Sequence, residues 1–345
     1  MKKSKQSNKK HRYIAAIALC IVFAIAITLY YFFSSFTGSK ETECIYIYQD
    51  DNIDSVINKL RPIAKPMCLT AFKTIVRHTN YPENIKEGRY EITPSEGAFM
   101  LFHRLKTGMQ TPMLVTIPNV RTMDQMAARL GKTFKCDSAD FAKVFNDKAV
   151  CDSFGFTKAT LPSIFIPDSY EMYWNIAPAK FLGKMKQAYD KFWTSERKAK
   201  AAAMKLTPDQ VCTIASIVDE ETNKTDEKPT IAGLYYNRYL RGMKLQADPT
   251  VKFALKDFGI RRILNYMLTT DSPYNTYMYA GLPPGPIRVP SQEGIDAVLN
   301  YQHHDYIFMC AKEDFSGYHN FAANAAEHMA NAQRYASALN ARGIK

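Results

Sequence analysis

A chain of 345 residues is long enough for two or three packed units. Its net charge of +12 is concentrated at one end: the first twelve residues supply six positive charges, leaving 39 basic against 33 acidic, or +6, over the rest. A balance that mild, with no aromatic–basic RNA motif and no helix-turn-helix signal, gives no ground for a nucleic-acid partner and suits a cell-envelope protein near anionic surfaces.

The first predicted element is a membrane span. Tyr13 to Phe33 is an almost unbroken apolar run, preceded by Lys2, Lys3, Lys5, Lys9, Lys10 and Arg12 with no acid among them. About 20 apolar residues cross about 30 Å of hydrocarbon as a helix. The positive-inside rule places residues 1–12 in the cytoplasm as a basic tail, 13–34 in the cytoplasmic (inner) membrane, and the remainder outside. A cleaved signal peptide is the rival reading. The run is longer than a usual signal core and lacks a small-x-small cleavage site before the next polar stretch. With no second run of that length, a single pass is expected.

Residues 41–112 read as a small α+β module. Cys44-Ile45-Tyr46-Ile47-Tyr48 is β-rich, Ile53 to Leu60 carries a helical pattern, Pro66 to His78 a second, and Gly88 to Ile92 a returning strand. Residues 113–204 form a connecting α+β region. Its opening, Met113 to Pro118 followed by Thr122 to Leu130, repeats the strand, turn, cap and helix order of Ile45 to Leu60, either as a weak internal repeat or as two common strand–helix units. Helices are expected over Ser138 to Asn146, Pro178 to Trp193 and, exposed, Ser195 to Met204. Between the first two, the aromatic-rich stretch Phe165 to Trp174 is either a carbohydrate-contacting surface or core.

The last region, 205–345, opens with Thr207-Pro208-Asp209-Gln210, a capping box with proline in the first turn. Leu282-Pro283-Pro284-Gly285-Pro286 must be a rigid loop, Tyr306 to Cys310 reads as a strand, and Asn324 to Leu339 as a closing helix. The fold class expected for the whole is α+β behind one transmembrane helix. The seven cysteines (20, 44, 68, 136, 151, 212 and 310) show no CxxC and no paired metal spacing, so no metal site is expected. An oxidising exterior allows a Cys136–Cys151 bridge; burial as small hydrophobes is the alternative.

The chemical interest lies where the capped helix ends in Asp219-Glu220-Glu221-Thr222. Stepping about 100° per residue, Val211, Ile214, Ala215, Ile217 and Val218 form an apolar stripe. Glu220 falls nearly opposite it and is expected in solvent. Asp219 and Glu221 flank it, Glu221 nearer. Periodicity therefore favours Glu221 as a half-buried acid with a raised pKa, against the bland reading that all three solvate a helix end. Acids at a helix C-terminus oppose its dipole, a local conflict that points to function.

These residues carry a resemblance. Ala215 to Thr222, Asn237-Arg238, Gly242-Met243, Leu245 to Val251, Ser272 to Tyr277, Gly281 to Ile287 and His319-Asn320-Phe321 resemble, in order, the signature of the endolytic murein transglycosylases, or YceG-like family. The resemblance spans the anchor, the N-terminal module, which is similar to a LysM-like peptidoglycan-binding unit, and the whole YceG-like catalytic domain at 205–345. It implies that Glu221, the second acid of an E-x-E-T pattern, is the catalytic acid. Asp219 stands where the family more often has Glu, which leaves its supporting role open.

The implied reaction cuts the β-1,4 bond between N-acetylmuramic acid and N-acetylglucosamine within nascent peptidoglycan strands. It leaves 1,6-anhydro ends and sets strand length. It needs no cofactor or metal, and proximity to peptidoglycan synthases (penicillin-binding proteins) is implied as well. Asn237, Gln246, Tyr274 and Asn275 are candidates for sugar contacts or, equally, structural hydrogen bonds. Asp248 and Arg238 are candidates for a loop-fixing pair, and Thr250 closes the Leu245 to Thr250 block as a further supporting candidate. His319 and His328 read as structural polar residues. A non-catalytic peptidoglycan-binding scaffold is the alternative from another class. A hydrolase using Asp219 as second carboxylate is disfavoured, because residues two apart on a helix point to different sides.

Overall fold

A computed structural model describes residues 2–260 and 262–343, with side chains from residue 10 onward. Met1 and the side chains of residues 2–9, most of the expected basic tail, lie outside the described residues, as do Arg261 and the last two residues of the expected catalytic domain. The chain divides into two units. One runs up to Leu114 and takes in Glu171–Asn175; the other comprises Val115–Tyr170 and everything from Ile176 onward.

In the first unit, α1 (Lys2–Phe33) contains a 24-residue stretch, Lys10–Phe33, long and apolar enough to cross a membrane. Its side chains face outward, from Ile14 and Ile17 to Leu29 and Tyr30, until Tyr31 and Phe32 reach the unit's core. β1 (Glu43–Ile47) leads to α2 (Ile53–Leu60), capped by Asn52, whose side chain accepts from Ser55 N–H at 2.9 Å. α3 (Pro66–Arg77) begins with proline at its first turn, where no N–H is needed. β2 (Gly88–Ile92) returns antiparallel to β1, with Ile45 opposite Tyr90. α4 (Ala98–Thr107) stops at Gly108, whose φ of +73° suits a residue without a Cβ. The alternate strand residues Ile45, Ile47, Tyr90 and Ile92 face Val56, Leu60, Phe72 and Leu105, all buried. Each such side chain contributes about 1.5–3 kcal/mol on leaving water. The strand, two helices and strand stand where hydrophobic periodicity predicts them.

The second unit is mostly helical. The last two residues of β3 (Met113–Thr116) and the first two of β4 (Ser169–Met172) belong to it, where the hydroxyls of Thr116 and Ser169 meet at 2.7 Å. Between them lie α5 (Met123–Thr133), α6 (Ser138–Asn146) and α7 (Lys148–Ser153). After β4 come α8 (Pro178–Phe192), α9 (Ser195–Ala203), α10 (Pro208–Glu221), α11 (Lys228–Leu240), α12 (Asp248–Leu255) and α13 (Gln292–Leu299). A hairpin of β5 (Phe308–Ala311) and β6 (His319–Ala322), with Cys310 opposite Asn320, precedes α14 (Ala325–Ala341).

The centre of this unit is α10. Its expected capping box is present: Gln210 N–H donates to Thr207 Oγ1 at 3.3 Å, and Thr207 N–H to Gln210 Oε1 at 2.9 Å. Val211 to Asp219 are all buried, so the helix is enclosed all round and not merely along one stripe. Its small polar residues serve that enclosure. Ser216 Oγ donates to Thr213 O at 2.7 Å and accepts from Ile287 N–H at 3.0 Å, tying the proline-rich loop to the helix.

Two expectations resolve toward the plainer alternative. In the aromatic stretch, Phe165 packs on Phe145 and Phe181 inside the second unit, and Trp174 meets Tyr46 and Tyr48 edge-on inside the first, leaving Tyr173 exposed. Cys136 and Cys151 are not bridged; the buried Cys151 thiol donates to Phe145 O at 3.5 Å.

Candidate active site

Three consecutive acids leave the end of α10 in three directions, about 100° apart. Asp219 points inward. It accepts from Lys228 Nζ at 2.6 Å, from Ser291 N–H at 2.6 Å and from Ser291 Oγ at 2.8 Å. Ser291 is the N-cap of α13, so the carboxylate sits at a positive helix end, and all its charge is spent locking α10, α11 and α13 together.

Glu220 is not in solvent. Arg121 grips it with Nε at 2.9 Å and Nη2 at 2.8 Å, and Arg288 Nη1 adds a contact at 3.1 Å. The arginines lie 99 residues before it and 68 after it, so helical periodicity could not register them. The expectation of a solvated Glu220 is corrected on that ground.

Among the described residues no cation meets the Glu221 carboxylate, and its hydrogen bond comes from the Tyr235 hydroxyl at 2.5 Å. Burial pushes its pKa from 4.5 up to about 7; the Tyr235 hydrogen bond pulls down, the Asp248 charge raises and Lys252 lowers. It opens into a cavity of about 350 Å³ that Tyr235, Gln246, Asp248, Tyr277 and His319 also line. Asp248 accepts from the Tyr277 hydroxyl at 2.5 Å. α10 ends here because Thr222 turns to extended backbone (φ −145°) while its N–H still reaches Val218 O at 3.2 Å.

The other candidates divide between lining and bracing. Arg238 reaches the cavity but does not pair with Asp248. It donates to Lys244 O at 2.9 and 2.7 Å, to Ile307 O at 2.7 Å and to Gln246 Oε1, fixing the loop before α12 against the approach to β5. Gln246 holds a left-handed φ of +53°, a conformation costing about 1 kcal/mol or more that the surrounding contacts impose. Asn237 donates its amide to His304 O at 2.7 Å and Tyr306 O at 3.1 Å, bracing the segment before β5. Thr250 and Asn275 are buried: Thr250 Oγ1 donates to Ala247 O at 2.6 Å, and Asn275 Nδ2 to Leu268 O and Thr270 O at 2.9 and 2.8 Å. Tyr274 lies in a different, apolar cavity, its ring 4.7 Å from that of Phe253.

Sequence reasoning passed over Tyr235, Tyr277 and the wall formed by residues 307–311. Tyr235 was within reach: Ile231, Leu234, Tyr235 and Arg238 are spaced i, i+3, i+4, i+7 and share one face of α11. His319 lines the cavity while its backbone N–H and Nδ1 meet the buried Glu227 at 2.7 and 3.1 Å. Among the described residues no three or more His, Cys, Asp or Glu side chains group for a metal ion.

A family model described as the YceG-like family matches residues 45–334. The chain belongs to the YceG-like family. Among relatives, the endolytic murein transglycosylase of Streptococcus pneumoniae (strain ATCC BAA-255 / R6) is 28% identical over 337 residues, covering 88% of this chain and 60% of that protein. The endolytic murein transglycosylase of Bacillus subtilis (strain 168) is 34% identical over 164 residues, 47% of this chain and 43% of its own length. The chain thus spans between two fifths and three fifths of the curated relatives it matches. The crystal structure of a YceG-like protein from Listeria monocytogenes is similar at a TM-score of 0.55 and 26% identity, covering 85% of this chain and 99% of that one. The YceG-like fold here is therefore mixed α+β with one N-terminal apolar helix.

Proposed function

We propose that this YceG-like protein is an endolytic peptidoglycan lytic transglycosylase and that Glu221 is its single acid–base catalyst. One observation carries the reading. Of the three acids ending α10, Glu221 alone faces an open cavity with no cation on it among the described residues, and burial pushes its pKa up to about 7. A carboxyl that keeps its proton near neutral pH can give it away.

Glu221 donates its proton to the glycosidic oxygen as the bond from muramic C1 to that oxygen breaks and C1 gains oxocarbenium character. The resulting carboxylate removes the proton from the muramic 6-hydroxyl, whose oxygen closes onto C1. The products are a 1,6-anhydro end and a free 4-hydroxyl on N-acetylglucosamine, with no water consumed and Glu221 reprotonated. An internal nucleophile makes a second carboxylate unnecessary. Asp219 is buried, is bound to Lys228 and Ser291 and does not line the Glu221 cavity, which argues against the hydrolase. Tyr235 orients the Glu221 carboxyl, and Tyr277 holds Asp248 at the cavity. Gln246 and Asp248, both exposed there, are the candidates to meet sugar hydroxyls, while Asn237, Arg238, Thr250 and Asn275 support the loops that carry them.

The remaining roles follow the same reading. Residues 41–112 act as a LysM-like glycan-binding module, 113–204 as a connector and 205–345 as the catalytic domain. α1 anchors the chain in the cytoplasmic membrane with its N-terminus inside and the rest outside, near peptidoglycan synthases. The decisive test is mass spectrometry of glycan strands treated with the full chain in detergent. Ends lighter by one water, about 18 Da, than hydrolysis products support the reaction. Reducing ends would make it a hydrolase, and binding without cleavage a scaffold.

A further inference from the structure

A second polar cavity of about 490 Å³ adjoins the catalytic helix on the side of Glu220, lined by Asn119, Arg121, Gln125, Arg129, Glu220 and Arg288. Three arginines line it beside one carboxylate, a net excess of two positive charges. Glu220 does not neutralise the site so much as arrange it. Its carboxylate holds Arg121 by two parallel contacts and Arg288 by one, fixing both planar groups. Arg288 spends its remaining Nη contacts on Asp219 O and Asn119 O at 3.4 and 3.5 Å, and its buried Nε has no hydrogen-bond partner among the described residues. Arg129 is exposed on α5, one turn beyond Gln125 on the same face. Gln125 accepts from Arg121 N–H through Oε1 at 3.0 Å. The cavity also lies by the N-terminal turn of α5, whose dipole favours an anion.

Fixed, forked guanidiniums suit a carboxylate. Glu220 and Glu221 are adjacent, with Cα atoms about 3.8 Å apart, so this cavity and that of Glu221 flank the same helix end on different sides. Arg121 also lines the apolar cavity of Phe253 and Tyr274, on α12 and the loop after it, which brings this cluster to the helix that starts with Asp248. Peptidoglycan carries such anions: the peptide stem on the lactyl group of muramic acid bears free carboxylates.

We propose that the cavity bounded by Arg121, Arg129 and Arg288 is an anion subsite that takes a stem-peptide carboxylate of the bound strand. It rests on the transglycosylase reading for its ligand but not for its test. The full chain carrying Glu221→Gln, in detergent, is titrated with glycan strands that keep their peptide stems and with the same strands stripped by an amidase. Stem-bearing strands are expected to bind about tenfold more tightly, the scale of a charge-assisted hydrogen bond. Adding Arg129→Glu, at an exposed position, should erase that preference, and Arg129→Lys should keep most of it. Parity between the two strands, or a preference that Arg129→Glu leaves untouched, overturns the subsite. The wild-type chain assayed for anhydro ends on both strands reads the chemistry separately. Anhydro ends with parity in binding remove the subsite alone, and a stem preference without anhydro ends removes the reaction alone.

Discussion

Three adjacent acids meet three environments, and their partners account for the difference. Asp219 is neutralised by a lysine and Glu220 by two arginines, whereas Glu221 faces a cavity with one phenol on it. Glu221→Gln is expected to lower the yield of anhydro ends by 10²–10⁴-fold, about the range for a positioned acid–base group, in the glycan-strand assay. It also has a stability signature. The folded pKa of about 7 lies above the ordinary 4.5, so the group favours the folded state fully below pH 4.5 and loses that contribution as pH rises through 7. Thermal unfolding should show the Gln variant gaining on the wild type across that window, by about 1–3 kcal/mol above pH 7, the upper figure being the full shift undiminished by partial exposure. Tyr235→Phe removes the hydrogen bond that lowers the pKa of Glu221. The alkaline limb of its pH–rate profile should therefore move to higher pH, and an unmoved limb would show that the phenol does not act on this carboxyl. The position of Glu221 beside the apolar stripe was legible from periodicity. The arginine clamp on Glu220 was not, because its partners are set by tertiary contact across 99 and 68 residues.

At the scale of elements, local signals carried far. Proline, capping and apolar spacing mark α2, α3, α6 and α10 within a residue or two, since caps act over three or four positions. What they do not carry is the junction among α10, α11 and α13, where Asp219, Lys228 and Ser291 meet from three stretches of chain. Lys228→Met should destabilise the second unit by about 3–5 kcal/mol in chemical denaturation, because it strands a buried carboxylate. Pairing it with Asp219→Asn should recover a large part of that loss, and no recovery would mean that the charges are not coupled. The proline loop offers a steric counterpart. A Cβ at Gly285 would fall 2.0 Å from Ala159 O, so Gly285→Ala must displace backbone that Ile287 and Ser216 hold against α10. It is expected to cost about 2 kcal/mol or more, as overpacked sites do.

For the whole molecule, the long apolar N-terminal helix and the short α+β segment after it were foreseeable in outline. The return of residues 171–175 to the first unit was not, since nothing in their local sequence distinguishes them from the aromatic core stretch they continue. Deleting residues 2–29 while keeping Tyr31 and Phe32, which pack on the first unit's core, should move the protein from the membrane pellet to the carbonate-soluble fraction without unfolding it. Retention in the pellet would point to a second membrane contact.

The wall around Glu221 has a further consequence, for the order of assembly. Residues 307–311, His319 and His328 close a cavity whose acid was laid down some ninety residues earlier. A chain clipped before the last hairpin lacks these walls, and the burial that raises the Glu221 pKa is expected to fall with them. The order of residues along the chain thus places an acid and part of its shelter in separate stretches, so that the setting of Glu221 is complete only when the last hairpin and helix have joined it.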